Sequence, residues 1–175
     1  MKIIAGEWRG RRLAALSGRG VRPTSSRLRE AWMSAMGGSF HGSTVVDLFA
    51  GSGALGLECL SRGAEACTFV ESAASALKVL ESNVERVGAG DRVAVVRGDA
   101  LSWAGRQSNA AFDLALADPP YSKGLAIALV ESFVACPFAR ELWVEHRSDE
   151  VLPPVSGLRQ RRYGDTTLST LIPPT

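Results

Sequence analysis

The amino-acid sequence predicts an α/β fold in which a doubly wound, mostly parallel sheet ends in an antiparallel hairpin. From residue 44 onward, short apolar and β-branched runs alternate with helix-like runs, which is typical of a parallel sheet covered by helices on both faces. A glycine-rich turn, Gly51-Ser52-Gly53, follows the first strand-like run. Near the end of the chain, two short runs flank Gly164-Asp165, a dipeptide that favours a tight turn between antiparallel strands.

The spacing of apolar residues defines each predicted element. We expect strands at residues 44–50, 66–71, 92–98, 112–118, 141–146, 158–163 and 166–172, with helices at 54–63, 73–88 and 124–136. Upstream, residues 1–22 predict an irregular hairpin of two short strands, and residues 22–36 predict a helix that Gly37 and Gly38 terminate. The chain therefore divides into a hairpin and helix extension over residues 1–38 and a main domain over residues 39–175.

Size and composition are those of a globular protein. The chain has 175 residues, of which 46% are hydrophobic and 22% charged, so it is long enough for one domain with a sizeable core. No apolar run reaches the roughly 18 residues that span a membrane, and charges near the N-terminus interrupt any export signal. The three cysteines form no CxxC pair, so we expect a reduced, cytoplasmic protein without a bound metal.

Positive charge is concentrated at the start of the chain. Residues 1–29 hold eight basic residues and one acid, a net charge of +7, whereas the whole chain carries +2. Seven of the eight are arginines, whose guanidinium groups suit phosphate. This pattern favours contact with a nucleic-acid backbone through Arg9, Arg11 and Arg12. The alternative is that the arginines only keep the extension solvated.

The turn at Gly51 fits two kinds of cofactor. Gly51-x-Gly53-x-x-Gly56 matches the dinucleotide-binding pattern, and Glu71 follows Gly51 by 20 residues. Asp47, however, lies inside the first strand, where its carboxylate could bind the ammonium group of an amino acid. A pyrophosphate is itself negatively charged and would gain nothing from a carboxylate at this position. S-adenosylmethionine carries such an ammonium group, so we prefer it to a nicotinamide dinucleotide.

Seven residues are candidates for binding this cofactor: Asp47, Gly51, Ser52, Gly53, Glu71, Asp99 and Ala100. Asp47 and the amides of the turn face the methionine end. Glu71 can accept hydrogen bonds from both ribose hydroxyls, and Asp99 can accept the adenine amino hydrogen while Ala100 supplies an amide. The alternatives are a surface acid at a strand end for Glu71 and a helix N-cap for Asp99.

Asp118-Pro119-Pro120-Tyr121 closes the fourth predicted strand and is the candidate catalytic segment. Neither proline has an N–H, so the segment cannot extend the sheet and forms a rigid corner whose carbonyls point outward. The Asp118 carboxylate and the Pro119 carbonyl can accept the two hydrogens of an exocyclic amino group, which frees the nitrogen lone pair for attack. Tyr121 offers a face for stacking a flipped or unpaired base. A plain strand-ending turn is the alternative.

Taken together, these motifs resemble the 16S rRNA guanine(966)-N2 methyltransferase family. The resemblance runs nearly end to end, through the segments IIAGEWRGRRL, RPTSSRLREAWMSAM, VVDLFAGSGALGLECLSRGA, FVE, GDA, FDLALADPPY and YGDTTLSTL. It implies a Rossmann-like, seven-stranded S-adenosylmethionine methyltransferase fold. It also implies methylation of the N2 amino group of one guanine in 16S rRNA, within the small ribosomal subunit or an assembly intermediate.

The same resemblance implies that Arg22, Thr24 and Arg27 lie near the cofactor or the RNA, and we expect a monomer. The chain departs from the family pattern at Ser25 and Ser26, where an acidic residue and a basic residue are commoner at the start of the helix. Ser25, Ser26 and Lys123 have no assigned role. Tyr121 also stands where phenylalanine is frequent. Neither departure affects the proposed chemistry.

Two other functions remain open at this stage. A DNA adenine-N6 methyltransferase could use Asp118-Pro119-Pro120-Tyr121 equally well, but such an enzyme needs a region for reading duplex bases, and the residues after Tyr121 are already used by the predicted fold. A non-catalytic RNA-binding assembly factor could keep the fold, but binding alone would not require Asp118.

Overall fold

Seven strands form one sheet in the computed structural model, which describes residues 1–16, 26–121 and 123–174. The strands are β1 (Thr44–Leu48), β2 (Ala66–Glu71), β3 (Val93–Arg97), β4 (Phe112–Ala117), β5 (Ala139–Arg147), β6 (Leu158–Tyr163) and β7 (Thr166–Leu171). Their order is β3-β2-β1-β4-β5-β7-β6. The first five in this order are parallel, and β7 runs antiparallel to both of its neighbours. The predicted doubly wound sheet with an antiparallel terminal hairpin is confirmed.

The helices of the described residues cover both faces of this sheet. They are α1 (Ser26–Ala35), α2 (Ala54–Ser61), α3 (Ala74–Val87), α4 (Ala100–Ala104) and α5 (Leu125–Ala135). The first three pack into one hydrophobic cluster and the last two into a second cluster on the opposite face. Helices predicted at residues 54–63, 73–88 and 124–136 agree with α2, α3 and α5 to within two residues at each end.

The central strands are buried because helices cover them on both sides. Four of the five residues of β1 are buried, and the last three residues of β4 are buried as well. Continuous apolar runs of this kind are typical of parallel strands inside an α/β sheet. The two strands therefore form a rigid base for the loops that follow them.

The irregular hairpin predicted at the N-terminus is present in a shortened form within residues 1–16, the part of it that the structure describes. Residues 1–3 pair antiparallel with residues 11–13 around a bridge between Lys2 and Arg12, but the pairing does not extend into two regular strands. The backbone N–H groups of Ile4 and Ala5 donate to the carboxylate of Glu58 on α2, at 2.9 and 3.0 Å. Because a side chain takes these donors, they are unavailable to a partner strand.

A second residue of α2 fixes the same segment. The hydroxyl of Ser61 accepts from the backbone N–H of Trp8 at 3.0 Å and donates to the carbonyl of Ala5 at 2.6 Å. Ile3 and Trp8 are buried in the cluster that also holds the apolar residues of α2. The described residues of the extension, 1–16 and 26–38, therefore share one continuous core with the sheet.

Arg29 does not belong with the solvent-facing arginines among which the sequence analysis counted it. Its side chain is 1% exposed, and its Nε lies 3.8 Å from Oε2 of Glu58. Its guanidinium also donates to the carbonyl of Lys2 at 2.6 Å. A buried arginine needs such partners to offset the cost of its desolvation. The solvent-facing charge of the extension is smaller than the sequence alone indicates.

None of the helices in the described ranges has the length and apolarity needed to cross a membrane.

A comparison of Gly6→Ala with Gly10→Ala should distinguish the steric cost of the contact with α2 from the general cost of a left-handed backbone at a non-glycine residue. Gly6 and Gly10 have nearly equal φ angles of +82° and +83°, but a Cβ on Gly6 would lie 1.8 Å from the Ser61 carbonyl oxygen, whereas one on Gly10 would meet nothing within 4 Å. We expect Gly10→Ala to cost about 1–2 kcal/mol. Gly6→Ala should cost about 4 kcal/mol or more, or release the segment, as measured by urea denaturation and by the rate of tryptic cleavage at Arg9–Arg12. Equal costs for the two variants would contradict the packing described here.

Candidate active site

Two loops leave the sheet side by side. β1 and β4 are parallel neighbours, with Leu48 paired to Ala117. The turn after β1 and the Asp118–Tyr121 corner after β4 therefore start at the same edge, from strands about 4.8 Å apart. Ligands of open α/β sheets bind outside the carboxyl ends of the strands. The structure brings together the two segments that the sequence identified as cofactor-binding and catalytic.

The backbone of the first loop is unusual from Phe49 to Gly53. Gly51 and Gly53 have φ angles of 55° and 77°, and Phe49 has a φ of 59°. A left-handed conformation is costly for a bulky residue and persists only where the surroundings enforce it. The N–H of Ala50 donates to the carbonyl of Val70, and the N–H of Gly53 donates to the carbonyl of Ala50. These bonds fix a tight turn beside the end of β2.

Two carboxylates hold this turn in place. Oε2 of Glu71 accepts from the backbone N–H of Gly51 at 2.8 Å, and its Oε1 accepts from the N–H of Ala73 at 2.7 Å. Oδ2 of Asp47 accepts from the N–H of Gly56 at 2.9 Å, in the first turns of α2. Glu71 is half-buried and Asp47 is 2% exposed. Both predicted cofactor-binding acids thus contact the backbone of the turn or of the helix that follows it.

Asn83 is a third support that the sequence analysis missed. Its side-chain amide donates to the carbonyl of Ser52 at 2.9 Å. The same amide group donates to the carbonyl of Ala14 at 3.0 Å, and its oxygen accepts from the N–H of Ala14 at 2.7 Å. The sequence signal for this role is the helical spacing of Asn83, which lies on the buried face of α3 with Leu80 and Val87. A polar residue on such a face needs buried partners.

Asp47 is a buried acid with a raised pKa. Burial raises the pKa of Asp47 to about 8, the hydrogen bond from Gly56 opposes this shift, and the charges of Asp118 and Glu71 add to it. The carboxyl of Asp47 is therefore largely protonated at neutral pH. A cation bound close to Asp47 would favour its ionised form and lower this pKa.

Asp99 is the N-cap of α4. Its Oδ1 accepts from the N–H of Ser102 at 2.8 Å, and hydrogen bonds from Ser102 hold the pKa of the exposed Asp99 carboxyl below its usual value. The N-cap alternative for Asp99 is confirmed. Ala100 is buried at the first position of the helix. Contacts of both residues with adenine stay a prediction.

The corner after β4 is anchored through its tyrosine. The hydroxyl of Tyr121 donates to Oε1 of Glu145 at 2.6 Å and lies 3.3 Å from Oγ1 of Thr166. Burial, and then the neighbouring Glu145, raise the pKa of Tyr121 above its ordinary value, so the phenol stays neutral. Pro119 is buried, whereas Pro120 is exposed. The sequence analysis assigned no role to Glu145 or Thr166, because their positions on β5 and β7 relative to Tyr121 depend on the tertiary structure.

The predicted RNA-binding arginines that the structure describes lie away from this corner. Arg9 and Arg12 are exposed, and the guanidinium of Arg11 donates to the carbonyl of Val87, the last residue of α3. Next to Arg9, Trp8 stacks against Arg92, whose guanidinium carbon is 4.7 Å from the ring centroid. Arg92 immediately precedes β3, so this part of the extension lies at the amino edge of the parallel strands. A five-residue strand separates the two edges by about 15 Å.

Other predicted residues fall outside the described structure. Arg22, Thr24 and Ser25 lie in the range 17–25, and the side chain of Arg27 is outside the described part of the chain. Lys123 is exposed just after the Asp118–Tyr121 corner, and its role stays open.

Known proteins are similar to this chain over most of its length. The family described as Conserved hypothetical protein 95 matches residues 1–172. The chain belongs to this family. Two relatives carry more informative names. The Bacillus subtilis protein "Putative rRNA methyltransferase YlbH" is 33% identical over 175 residues, which is 95% of each sequence. The "Ribosomal RNA small subunit methyltransferase D" of Escherichia coli K12 is 37% identical over 125 residues, which is 71% of this chain and 62% of that protein.

A solved structure agrees with this family assignment. The "Putative methyltransferase yhhF from Escherichia coli" has a TM-score of 0.81 at 29% identity, covering 97% of this chain and 96% of that one. The match to the curated Escherichia coli relative spans less than two thirds of its length. The family predicted from the motifs, and the methyltransferase fold that it implies, are confirmed.

Asp47→Asn should remove a pH dependence of stability. The folded chain holds the Asp47 pKa at about 8, above the ordinary 3.8. Folding therefore takes up a proton between these values, and this contribution to stability is lost as the pH rises through 8. An asparagine oxygen still accepts from Gly56 but carries no charge. We expect the free energy of unfolding of Asp47→Asn, relative to wild type, to increase from about pH 5 to about pH 9 in urea denaturation.

Asp113→Asn is the matched control for this measurement. The backbone N–H of Thr44 holds the pKa of Asp113 below its usual value, so this carboxyl is ionised in both folded and unfolded chains across the same range. Its difference from wild type should stay constant with pH. Parallel curves for wild type and Asp47→Asn would show that Asp47 is not a buried, destabilised acid.

Proposed function

We propose that this chain transfers the methyl group of S-adenosylmethionine to the exocyclic N2 amino group of a guanine in 16S rRNA. The observation that carries the proposal is the pairing of β1 with β4, which sets the glycine turn beside the Asp118–Tyr121 corner. The names of the family relatives support rRNA of the small ribosomal subunit as the substrate class. The match to the Escherichia coli relative covers only 62% of that protein. The activity stated in its name is therefore a proposal for this chain.

The residues at the site fit the charge of S-adenosylmethionine. A positive charge bound beside Asp47 would favour the ionised form of this buried carboxyl, whose pKa is raised, and this cofactor carries both a sulfonium and an ammonium group. The amides of Gly51 to Gly53 would contact its methionine part. Asp47 is so deeply buried against Gly56 that we assign it to support of the turn and to the electrostatics of the site.

Glu71 would bind the ribose. Each of its carboxylate oxygens accepts one hydrogen bond from the backbone, from Gly51 and from Ala73. A carboxylate oxygen has two lone pairs, so each can accept a second hydrogen bond from one of two adjacent hydroxyls. The backbone bonds also fix the rotamer of Glu71, which reduces the entropy lost on binding. Asp99 and Ala100, at the end of the neighbouring β3, would contact the adenine.

The corner after β4 would hold the target base. The Asp118 carboxylate and the Pro119 carbonyl accept the two amino hydrogens, which turns the nitrogen toward tetrahedral geometry and frees its lone pair. The cofactor supplies an electrophilic methyl carbon, which the nitrogen takes as the carbon–sulfur bond breaks and its electron pair stays on sulfur. The proton that the nitrogen then loses goes to Asp118 or to water. The anchored ring of Tyr121 provides the stacking surface.

The target base must leave its stack to enter this site, because the corner cannot reach a base inside a helix. An unpaired guanine in the small subunit, or in an assembly intermediate, meets this need. We propose that the enzyme acts in the cytoplasm, as a monomer, and that the basic extension assists RNA binding. The exposed Arg9 and Arg12 would contribute at a distance from the reacting atoms.

Nucleoside mass spectrometry is the direct test of the reaction. Purified protein with labelled S-adenosylmethionine should convert one guanosine per small subunit to N2-methylguanosine in subunits that lack the modification. Label recovered only as N6-methyladenine in DNA would favour the adenine methyltransferase instead. No transfer to either substrate, with RNA binding retained, would favour a non-catalytic assembly factor.

Asp118→Asn and Glu71→Gln should affect different kinetic constants. Asp118→Asn weakens acceptance of the amino hydrogens and of the proton, so we expect kcat to fall about 100-fold or more with little change in the dissociation constant for S-adenosylmethionine. Glu71→Gln should instead weaken cofactor binding, measured by calorimetry. If Asp118→Asn weakens cofactor binding as strongly as Glu71→Gln does, the assignment of Asp118 to the base is wrong.

A further inference from the structure

The edge strand β6 carries a second basic surface, which the sequence analysis did not assign. Its sequence is LRQRRY, and every residue after Leu158 is exposed. Arg159 and Arg161 form no salt bridge or side-chain hydrogen bond with any other residue in the described ranges, whereas Arg140 and Arg147 pair with Asp113 and Asp149. Unpaired guanidinium groups on an exposed strand are free to bind phosphate.

The alternation of side chains along a strand sorts these residues by face. Arg159, Arg161 and Tyr163 point to one face of the sheet, and Gln160 and Arg162 point to the other. Tyr163 is 37% exposed. On the opposite face, Gln160 donates to the hydroxyl of Ser169, and Arg162 donates to the carbonyl of Gly164. One face of β6 thus combines two unpaired arginines with an exposed aromatic ring.

This face is the one on which Tyr121 is anchored. Arg161 lies opposite Leu168 on β7, and Leu168 lies opposite Glu145 on β5. Side chains directly opposite each other in a sheet share a face, so Arg161 is about 10 Å from Glu145, the width of two strand spacings. Glu145 accepts the hydrogen bond of Tyr121.

The C-terminal end of β6 is closer still to the Asp118–Tyr121 corner. Tyr163 lies opposite Thr166, whose hydroxyl is 3.3 Å from that of Tyr121. Two successive side chains on one face of a strand are about 7 Å apart. The order Arg159, Arg161, Tyr163 therefore forms a row that ends beside the corner proposed to hold the target base.

We propose that this row, Arg159-Arg161-Tyr163, binds the substrate RNA strand next to the flipped base, with the arginines on phosphates and Tyr163 stacked on a neighbouring unpaired nucleotide. The inference rests on the proposed function, because it places the RNA relative to Asp118–Tyr121. Positive charge without a protein partner, an exposed ring and continuity with the corner all fit a single-stranded nucleic acid. The row lies at the carboxyl edge, unlike Arg9 and Arg12 of the extension.

A simpler role for these arginines is protection of the sheet edge. Charged side chains on an edge strand discourage pairing with another molecule. That role predicts aggregation when the charges are removed, with no specific loss of RNA affinity. Arg162 offers a matched control, because it is an exposed arginine on the same strand that points to the opposite face.

The experiment compares RNA binding and methylation by Arg159→Gln/Arg161→Gln, by Arg162→Gln and by wild type. Filter binding to small subunits that lack the modification, over a series of KCl concentrations, gives the affinity and its salt dependence. Loss of two phosphate contacts should lower the slope of log affinity against log salt by about 2 and weaken binding about 10-fold or more. Arg162→Gln and the charge-preserving Arg159→Lys/Arg161→Lys should stay close to wild type.

Tyr163→Leu tests the stacking contact separately. It should lower kcat/KM for the RNA about 5-fold or more without changing the salt slope, while the dissociation constant for S-adenosylmethionine stays the same. Unchanged RNA affinity and kcat/KM in the arginine double variant, or an equal loss in Arg162→Gln, would overturn the proposal while wild-type methylation still supports the proposed function. Wild-type protein that neither binds nor methylates the subunits would instead overturn the proposed function itself.

Discussion

The glycine turn after β1 and the start of α2 are held by side chains from three different elements. Glu71 at the end of β2 and Asn83 on α3 bond the turn itself, and Asp47 in β1 bonds the first turns of α2. The turn has a strained left-handed Phe49, so these contacts are needed to keep its amides aligned. Because β4 is the neighbour of β1, the position of the turn also determines what the Asp118–Tyr121 corner can face. The proposed chemistry depends on this alignment.

The start of the chain is part of the same arrangement. Glu58 and Ser61 hold residues 4–8 against α2, and Asn83 holds Ala14 with the same amide group that holds Ser52. The extension is therefore packed onto the helices next to the turn. Asn83 therefore connects the extension physically to the glycine turn.

Most of the fold could be predicted from the sequence because its strands and helices differ in their apolar spacing. The turn and the Asp118–Tyr121 corner could be predicted too, since glycine permits the left-handed backbone of a tight turn and proline cannot continue a strand. The supports could not, because Glu58, Asn83 and Glu145 act on partners far away in the chain. The same reason explains why the N-terminal hairpin is shorter than predicted and why Arg29 is not exposed. The backbone donors of Ile4 and Ala5 go to Glu58, and Arg29 is buried against the same carboxylate.

The surface charge also differs from what the distribution along the sequence indicates. The basic residues of the extension are partly used in packing, as Arg11 and Arg29 show, whereas Arg159 and Arg161 of β6 have no side-chain partner among the described residues and lie near the Asp118–Tyr121 corner. Charge counted along the chain indicates a nucleic-acid partner, but the sheet determines which cations face the reacting atoms.

The most direct measurement is a crystal structure with S-adenosylmethionine and guanosine bound. The account predicts that the methyl carbon lies about 3–3.5 Å from the guanine N2 nitrogen, with that nitrogen between the Asp118 carboxylate and the Pro119 carbonyl. A methyl group directed away from this corner, or a guanine bound on another surface, would contradict it.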